Sequence, residues 1–451
     1  MTANQRSLAL AVSACLLIAP LVGCGGTGGN PGNGSGTPDF ANTVVIGDSL
    51  SAGYQNGSLL DTQQPHGWAS LVTTQAKATL TLPLIAAPGA PAVLQLTSLG
   101  PPPVITQSSG VTIGRDNPLV QPTDLAVPGH QLSDLINTTP TLVPTTGEEL
   151  MTDFVLGLPL GNDKSQMNLA IQLNPTVLFV WIGSNDALQA DESGTPTSMT
   201  SVATFTQEFQ QLLSTLHSQT KAKLIVANVP DVTVVPYLTP AATIIAEVAA
   251  ATGLTPAQAA TDLGIQAGDL VNATGLGQVQ AAITAILQNQ TPTPLTDAGF
   301  LDPTEISTIQ TTVNQYNAAI AQEVSAVGGV LVDIHTLIQN LAQNGITINS
   351  YNATATFLGG LFSLDGIHPT NTGYALVANA FIDATNTALK TTIADVDVSV
   401  VAANDPLFGP NIKPTFAKSS IPLNAARRAD QLISPRKGAA KSKPPAPWNL
   451  P

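Results

Sequence analysis

Short runs of Val, Ile and Leu alternate along the chain with longer stretches whose apolar residues recur at helical spacing. This alternation predicts an α/β fold built on a parallel sheet. Strands are expected at residues 43–47, 123–127, 176–183, 223–228 and 329–333. Helices are expected at 68–78, 201–219, 303–327 and 370–389, the third opened by Asp302 with Glu305 in its first turn. Two stretches interrupt the pattern and read as insertions. Residues 80–117 are rich in Pro, Gly and Ser without a clear period, which suits a long structured loop or lid. Residues 239–297 are Ala-, Thr- and Gln-rich, helical in period and almost uncharged. No tandem repeat is present. Beyond Asp405 the chain turns rich in Pro, Lys and Arg, and disorder is expected there.

The first residues follow a different logic. Arg6 precedes an apolar run over 8–22, the length of a signal h-region and too short for a stop-transfer helix. The run ends Leu21-Val22-Gly23-Cys24, which resembles the lipobox of bacterial lipoproteins. That resemblance implies a signal peptide over 1–23, removed to leave a lipidated Cys24. Residues 24–40 would then be a flexible Gly-rich tether. The expected location is the bacterial cell envelope, lipid-anchored, on the outer membrane or facing the periplasm, with the membrane as a partner through Cys24.

Charge narrows the chemistry. Only 10% of residues are charged against 43% apolar, and the charges are unevenly placed. Residues 24–412 hold 6 Lys/Arg against 28 Asp/Glu, and no Lys or Arg lies between Lys223 and Lys390. Such a body cannot neutralise a phosphate backbone, so no nucleic-acid partner is expected. Residues 413–451 hold 8 Lys/Arg against one acid. This tail, with Arg427-Arg428, Arg436-Lys437, Lys441 and Lys443, reads as a solvated extension; the alternative is weak contact with anionic envelope lipid. With Cys15 and Cys24 the only cysteines, thiolate metal sites and disulfide scaffolds are excluded.

The first strand runs into Gly47-Asp48-Ser49-Leu50-Ser51, which places a serine at the carboxyl end of the sheet, where open α/β folds carry their sites. Ser51 stands where the Gly-x-Ser-x-Gly elbow would have its last glycine. Far downstream, Asp365-Gly366-Ile367-His368-Pro369 precedes the last helix of the sheet domain. The spacing of Asp365 and His368 lets the carboxylate hold one ring nitrogen while the other faces outward as a base. Pro369 suits the first helical position. His66, His130, His217 and His335 lack such a partner in sequence and read as structural.

These residues resemble, in order, the four blocks of the GDSL or SGNH family of serine esterases and acylhydrolases. Gly47-Asp48-Ser49-Leu50 is similar to the nucleophile block and Leu125-Ala126-Val127-Pro128-Gly129 to the second. Gly183-Ser184-Asn185-Asp186 resembles the third, and Asp365 with His368 the last. The resemblance implies a three-layer α/β/α flavodoxin-like hydrolase domain over 41–390, interrupted by a loop or lid insertion and a helical insertion. A C-terminal extension would follow over 391–451. It implies Ser49, His368 and Asp365 as catalytic residues, and an oxyanion hole of the Ser49 N–H, the Gly129 N–H and the Asn185 amide. Asp48 and Asp186 read as loop-stabilising. No cluster of His and carboxylates has metal spacing, so no metal and no organic cofactor are expected.

The implied activity is hydrolysis of carboxylic esters through an acyl-enzyme, in the manner of a lipase or carboxylesterase, on a small-molecule or lipid ester. The apolar residues Leu82, Leu84, Ile85, Val93, Leu94, Leu96, Val104 and Ile105 would form an acyl-binding wall or simply pack the insertion onto the core. One alternative is a carbohydrate O-acetylesterase, against which the scarcity of tryptophan counts. Another is an anchored binding protein that no longer turns over.

Overall fold

Why the strands of the central sheet pair as they do follows from their composition: apart from Thr43 and Lys223 at two strand starts and the terminal Gly47 they are apolar, which suits burial on both faces of a parallel sheet. The computed structural model describes residues 39–433 apart from 100–102, 111, 113, 142 and 413–420. The expected signal peptide, Cys24 and almost all of the tether lie outside these residues, as do Arg436, Lys437, Lys441 and Lys443. In chain order the elements begin with β1 (Thr43–Gly47), α1 (Trp68–Gln75), β2 (Leu94–Ser98), β3 (Val104–Gln107) and α2 (Leu132–Asn137). Next come α3 (Gly147–Val155), α4 (Gln166–Leu173), β4 (Val177–Trp181), α5 (Ser184–Ser193), α6 (Val202–Gln219) and β5 (Lys223–Ala227). An excursion follows through β6 (Thr239–Pro240), α7 (Ala241–Thr252), α8 (Pro256–Leu263), β7 (Leu270–Val271), α9 (Ala273–Leu287) and β8 (Phe300–Leu301). The chain returns along α10 (Pro303–Ala326), β9 (Val330–Val332), α11 (Ile334–Asn344), β10 (Ile346–Ile348), β11 (Tyr351–Ala353) and α12 (Asn371–Leu389). Last come α13 (Val398–Asn404) and α14 (Leu423–Ile433).

The central sheet has the order β1-β4-β5-β9, all parallel, with Gly47 opposite Trp181 at its carboxyl edge. On the free side of β1, residues 123–127 run parallel to it. Val45 donates to the Thr123 carbonyl at 2.9 Å, Leu125 to Val45 at 2.9 Å and Val127 to Gly47 at 3.1 Å. The segment expected as the second strand is therefore extended and paired, though it forms only an isolated bridge. In sequence order the pairing is 2-1-3-4-5, the flavodoxin-like order, whose switch point falls between β1 and β4.

Alternate residues of each strand serve two cores. Val45, Phe179, Trp181, Ile225 and Ala227 face α1 and α12, where Trp68 stacks on Phe381 at 3.7 Å and Phe179 meets both edge-on. Val44, Ile46, Leu178, Val180, Leu224 and Val226 face the opposite layer, which includes Leu169 and Ala170 of α4 and Phe205 and Phe209 of α6. These are the three layers of an α/β/α sandwich.

Both insertions carry more order than periodicity revealed. Residues 80–117 contain the hairpin of β2 and β3, with Ile85, Val93, Leu94 and Ile105 buried and Val104 exposed. Residues 239–301 hold three helices and the small antiparallel sheet β6-β7-β8. The expected disorder beyond Asp405 does not hold for α14, whose Ala425 and Ala426 are fully buried, nor for Ile421 before it. Its Ala-Arg composition masked an amphipathic helix. Pro369 precedes α12 rather than opening it; Thr370 is the N-cap and accepts from the Gly373 N–H at 3.1 Å.

Three carboxyls are sealed from water, Asp48 and Asp186 just beyond the carboxyl ends of β1 and β4 and Asp124 opposite Val45. Burial, opposed by the Leu50 N–H and reinforced by the nearby Asp186 charge, raises Asp48 to about 7. Burial likewise raises Asp186 to about 7, against the Leu132 and Thr200 donors, and Asp124 to about 8, against the Ala126 N–H. Each binds a proton in the folded state that the unfolded chain releases near pH 4, so stability falls as pH rises through this window. The thermal midpoint is expected to decline from about pH 5 to about pH 8. Asp48→Asn should flatten that decline and raise the midpoint at the alkaline end; a midpoint that climbs with pH in the wild type would contradict the assignment.

Candidate active site

Gly47 ends β1 at a point with no room for a side chain. A Cβ there would collide with the Trp181 carbonyl of the adjacent strand and lie 2.6 Å from Ser51 Oγ. Beyond it the chain coils tightly: Ser51 and Ala52 both donate to the Asp48 carbonyl at 3.1 Å, and Tyr54 donates to that of Ser49 at 3.1 Å. Asp48 Oδ1 accepts from the Leu50 N–H at 3.0 Å. Ser49 is thereby held at the carboxyl edge, on the switch point.

His368 arrives from the other end of the sequence. Its Nε2 lies 2.8 Å from Ser49 Oγ, and its Nδ1 lies 3.1 Å from Asp365 Oδ2. A carboxylate can only accept, so the proton sits on Nδ1 and Nε2 is the bare nitrogen that faces the serine. Asp365 is saturated with donors: Oδ1 takes the N–H groups of Ile367 and His368, both at 2.9 Å, and Oδ2 also takes that of Gly57 at 2.7 Å. Burial opposes its charge. The interaction with His368, the ring hydrogen bond and the backbone donors outweigh that cost and hold the carboxyl below its ordinary value. Asn56 ties the same loops together, donating its N–H to Ser363 Oγ at 2.9 Å and accepting from the Leu364 N–H at 3.1 Å. The Tyr54 ring lies 4.7 Å from the imidazole.

The loop that follows residues 123–127 meets the start of α5. Gly129 takes φ +85°, a backbone region that favours glycine. Asn185, on the first turn of α5, donates through Nδ2 to the His130 carbonyl at 2.9 Å. Asp186 Oδ2 accepts from the Leu132 N–H at 2.9 Å and Oδ1 from the Thr200 hydroxyl at 2.7 Å, which is the loop-stabilising work expected of it. Among the described residues neither the Ser49 N–H nor the Gly129 N–H has a hydrogen-bond partner. One Asn185 amide hydrogen also remains beyond the bond to His130. Serine, base, carboxylate and three unengaged donors are what acyl transfer requires.

Hydrogen bonds thus bring Ser49, His368 and Asp365 into one line and tie Asn185 to the residue after Gly129, while Cys24 lies outside the described residues. Sequence reasoning missed Gly57 and Gln166, and took His130 as structural without seeing that its carbonyl holds Asn185. Gly57 has no local signature, since it works through its backbone across 308 residues. Gln166, fully buried, bonds to both backbone groups of Gly47 and to the His130 ring. Among the described residues no group of three or more His, Cys, Asp or Glu is arranged to hold a metal ion.

A family model described as GDSL-like lipase/acylhydrolase matches residues 43–381. No curated protein matches the sequence. Among solved structures the chain is similar to an α/β-hydrolase enzyme from the metagenome of Lake Arreo, Spain (13% identity, TM-score 0.35, 78% of this chain and 97% of that one). It is also similar to phospholipase A1 from Streptomyces albidoflavus NA297 (13% identity, TM-score 0.33, 78% and 100%). A third is an acetyl-xylooligosaccharide esterase from Geobacillus (12% identity, TM-score 0.34, 77% and 95%). Likenesses this distant decide nothing about substrate. The family match spans most of the sequence, from the strand before Ser49 to the helix after His368, and the chain belongs to the GDSL-like lipase/acylhydrolase family as a carboxylic ester hydrolase.

Proposed function

We propose that Ser49, His368 and Asp365 hydrolyse uncharged carboxylic esters through an acyl-enzyme at the bacterial cell envelope. The observation that carries this reading is the hydrogen-bonded line from Asp365 through His368 to Ser49, with the unengaged N–H groups of Ser49 and Gly129 alongside. His368 Nε2 takes the hydroxyl proton as Ser49 Oγ bonds to the ester carbonyl carbon. The carbonyl electron pair moves onto oxygen, which is received by the Ser49 and Gly129 N–H groups and the second Asn185 amide hydrogen. When the adduct collapses, the ester C–O bond breaks and His368 returns the proton to the leaving alcohol. Water, deprotonated by the same nitrogen, then attacks the acyl-enzyme and frees the acid.

The acidic body disfavours anionic esters. For acyl length, the lipase-like reading drew on the apolar insertion as a wall. Four of its side chains are instead spent in packing, which supports the short-acyl alternative of a carbohydrate O-acetylesterase. A series of p-nitrophenyl esters from acetate to palmitate separates the two. A maximum at six carbons or beyond supports the lipase-like reading, and a maximum at acetate the deacetylase. Ser49→Ala is expected to lose at least about 10³-fold in rate against every ester and to resist labelling by a fluorophosphonate. Activity that survives this substitution would remove Ser49 from the mechanism, and a wild type that neither turns over nor labels would be the binding protein instead.

The envelope location rests on Leu21-Val22-Gly23-Cys24. Cys24→Ser is expected to move the protein from the membrane fraction to the soluble fraction with loss of its acyl mass; unchanged membrane retention would sink the anchor.

A further inference from the structure

We propose that Gln166 is a positioning residue that fixes the nucleophile's strand end and the oxyanion loop in a single register. Its amide is used completely. Oε1 accepts from the Gly47 N–H at 2.9 Å, and Nε2 donates to the Gly47 carbonyl at 3.0 Å and meets His130 Nδ1 at 3.0 Å. The Gly47 N–H requires an oxygen opposite it, which orients the amide and leaves both Nε2 hydrogens as donors. His130 Nδ1 is therefore the bare acceptor, and its Nε2–H donates to Thr152 Oγ1 at 2.9 Å. The Thr152 hydroxyl passes its own hydrogen to the Glu148 carbonyl at 2.9 Å. Donor direction is thus determined along the whole chain. At its other end the His130 carbonyl receives the Asn185 amide at 2.9 Å. The path from the turn that aims Ser49 to the amide that meets the oxyanion consequently runs Gly47, Gln166, His130, Asn185. Gln166 and His130 are fully shielded from solvent, so no water can substitute for a lost member.

The assignment rests on the reading of Ser49 as nucleophile and predicts a loss confined to the transition state. Gln166→Met keeps the length of the side chain without its polar atoms. It is expected to lower kcat by about 10–100-fold with KM within about twofold. Affinity for a boronic acid, which adds to the serine and places oxygen in the oxyanion hole, should weaken in parallel with kcat. His130→Phe spares the clamp on Gly47 and the backbone carbonyl that holds Asn185 but cuts the ring's links to Gln166 and Thr152, so a smaller loss of the same kind should appear even if Gln166→Met fails to fold. Folded variants that retain kcat and boronic-acid affinity, or that change KM alone, would overturn the proposal. Failure of the Ser49 reading is separate, because it would show as a wild type that the boronic acid does not inhibit.

The structure assigns a second role on independent grounds: α14 with Ile421 is a strap that closes the ester's approach to Ser49. On the Asp365 side, Ile421 lies against Gly366, its Cδ1 2.7 Å from where a Cβ would stand, and the Arg428 stem lies against Gly57. Asn424 donates to the Ile105 carbonyl in the hairpin. On the oxyanion side α14 packs against α5, which carries Asn185, and against α3 and α9. The strap therefore packs against elements on both halves of the site, at which Ser49 is only 4% exposed and His368 1%. Its hold is modest in kind: besides Ile421 it buries two alanines, and shielding the Arg428 guanidinium costs hydration.

Asn424 ties the strap to the hairpin through the Ile105 carbonyl, so Asn424→Ala is expected to free it and to raise the rate of labelling by a bulky fluorophosphonate several-fold. Ile421→Ser, which removes the contact at Gly366, should raise the labelling rate several-fold as well. Folded variants that label no faster than wild type would overturn the strap. If one variant fails to fold, the other decides alone. Absence of labelling in every form would instead be a failure of the Ser49 reading.

Discussion

A strand buried in the middle of a sheet must satisfy its last backbone groups while releasing the chain toward the surface, and at Gly47 this constraint organises everything around it. The residue lies against Trp181 on one side and residues 123–127 on the other, with space for hydrogen alone. The Gln166 amide completes its hydrogen bonding from the helical layer. With that point immobile, Ser49 follows two residues later on a coil of fixed pitch. The loops of Gly129 and Asn185, proposed to provide the oxyanion donors, are then referenced to the same point as well as to each other.

Carboxyls equally removed from water behave oppositely across this site, and donor supply is the reason. Asp365 receives three backbone N–H groups and an imidazole, enough to overcome burial and keep it ionised. Asp48 receives one backbone donor at Oδ1, has no partner at Oδ2 among the described residues and feels the field of Asp186, so its proton is retained to about 7. The chain thus holds a charged acid behind His368 and a proton-retaining acid in the turn that carries Ser49, through donor supply together with the charges of His368 and Asp186.

Much of this was legible in sequence because apolar runs and local motifs are local signals. The strands at 43–47, 176–183, 223–228 and 329–333 each contain the observed strand, and Asp365 with His368 is a contact three residues apart. What stayed hidden depends on the far side of the fold. Gly57 acts on Asp365 through a backbone N–H, which any residue type possesses, and Gln166 is one of many glutamines in an ordinary amphipathic helix. The hairpin of β2 and β3 escaped notice because Pro and Gly interrupt its alternation. Helix α14 escaped because its Arg residues read as solvated, whereas the Arg428 stem is packed against Gly57.

Ser49 and His368 are separated by 319 positions, and on the roles proposed for them as nucleophile and base that distance has a temporal meaning. During synthesis the nucleophile is made among the first residues of the domain, while the base, its carboxylate and the strap come near the end. β1 cannot be completed by its neighbours until β4 exists, and no proton acceptor is available until the last helices have closed the second layer. A chain interrupted anywhere before His368 therefore carries a serine with ordinary hydroxyl reactivity. The fold acts as its own timer: esterolysis begins only when nearly the entire polypeptide has collapsed around the sheet.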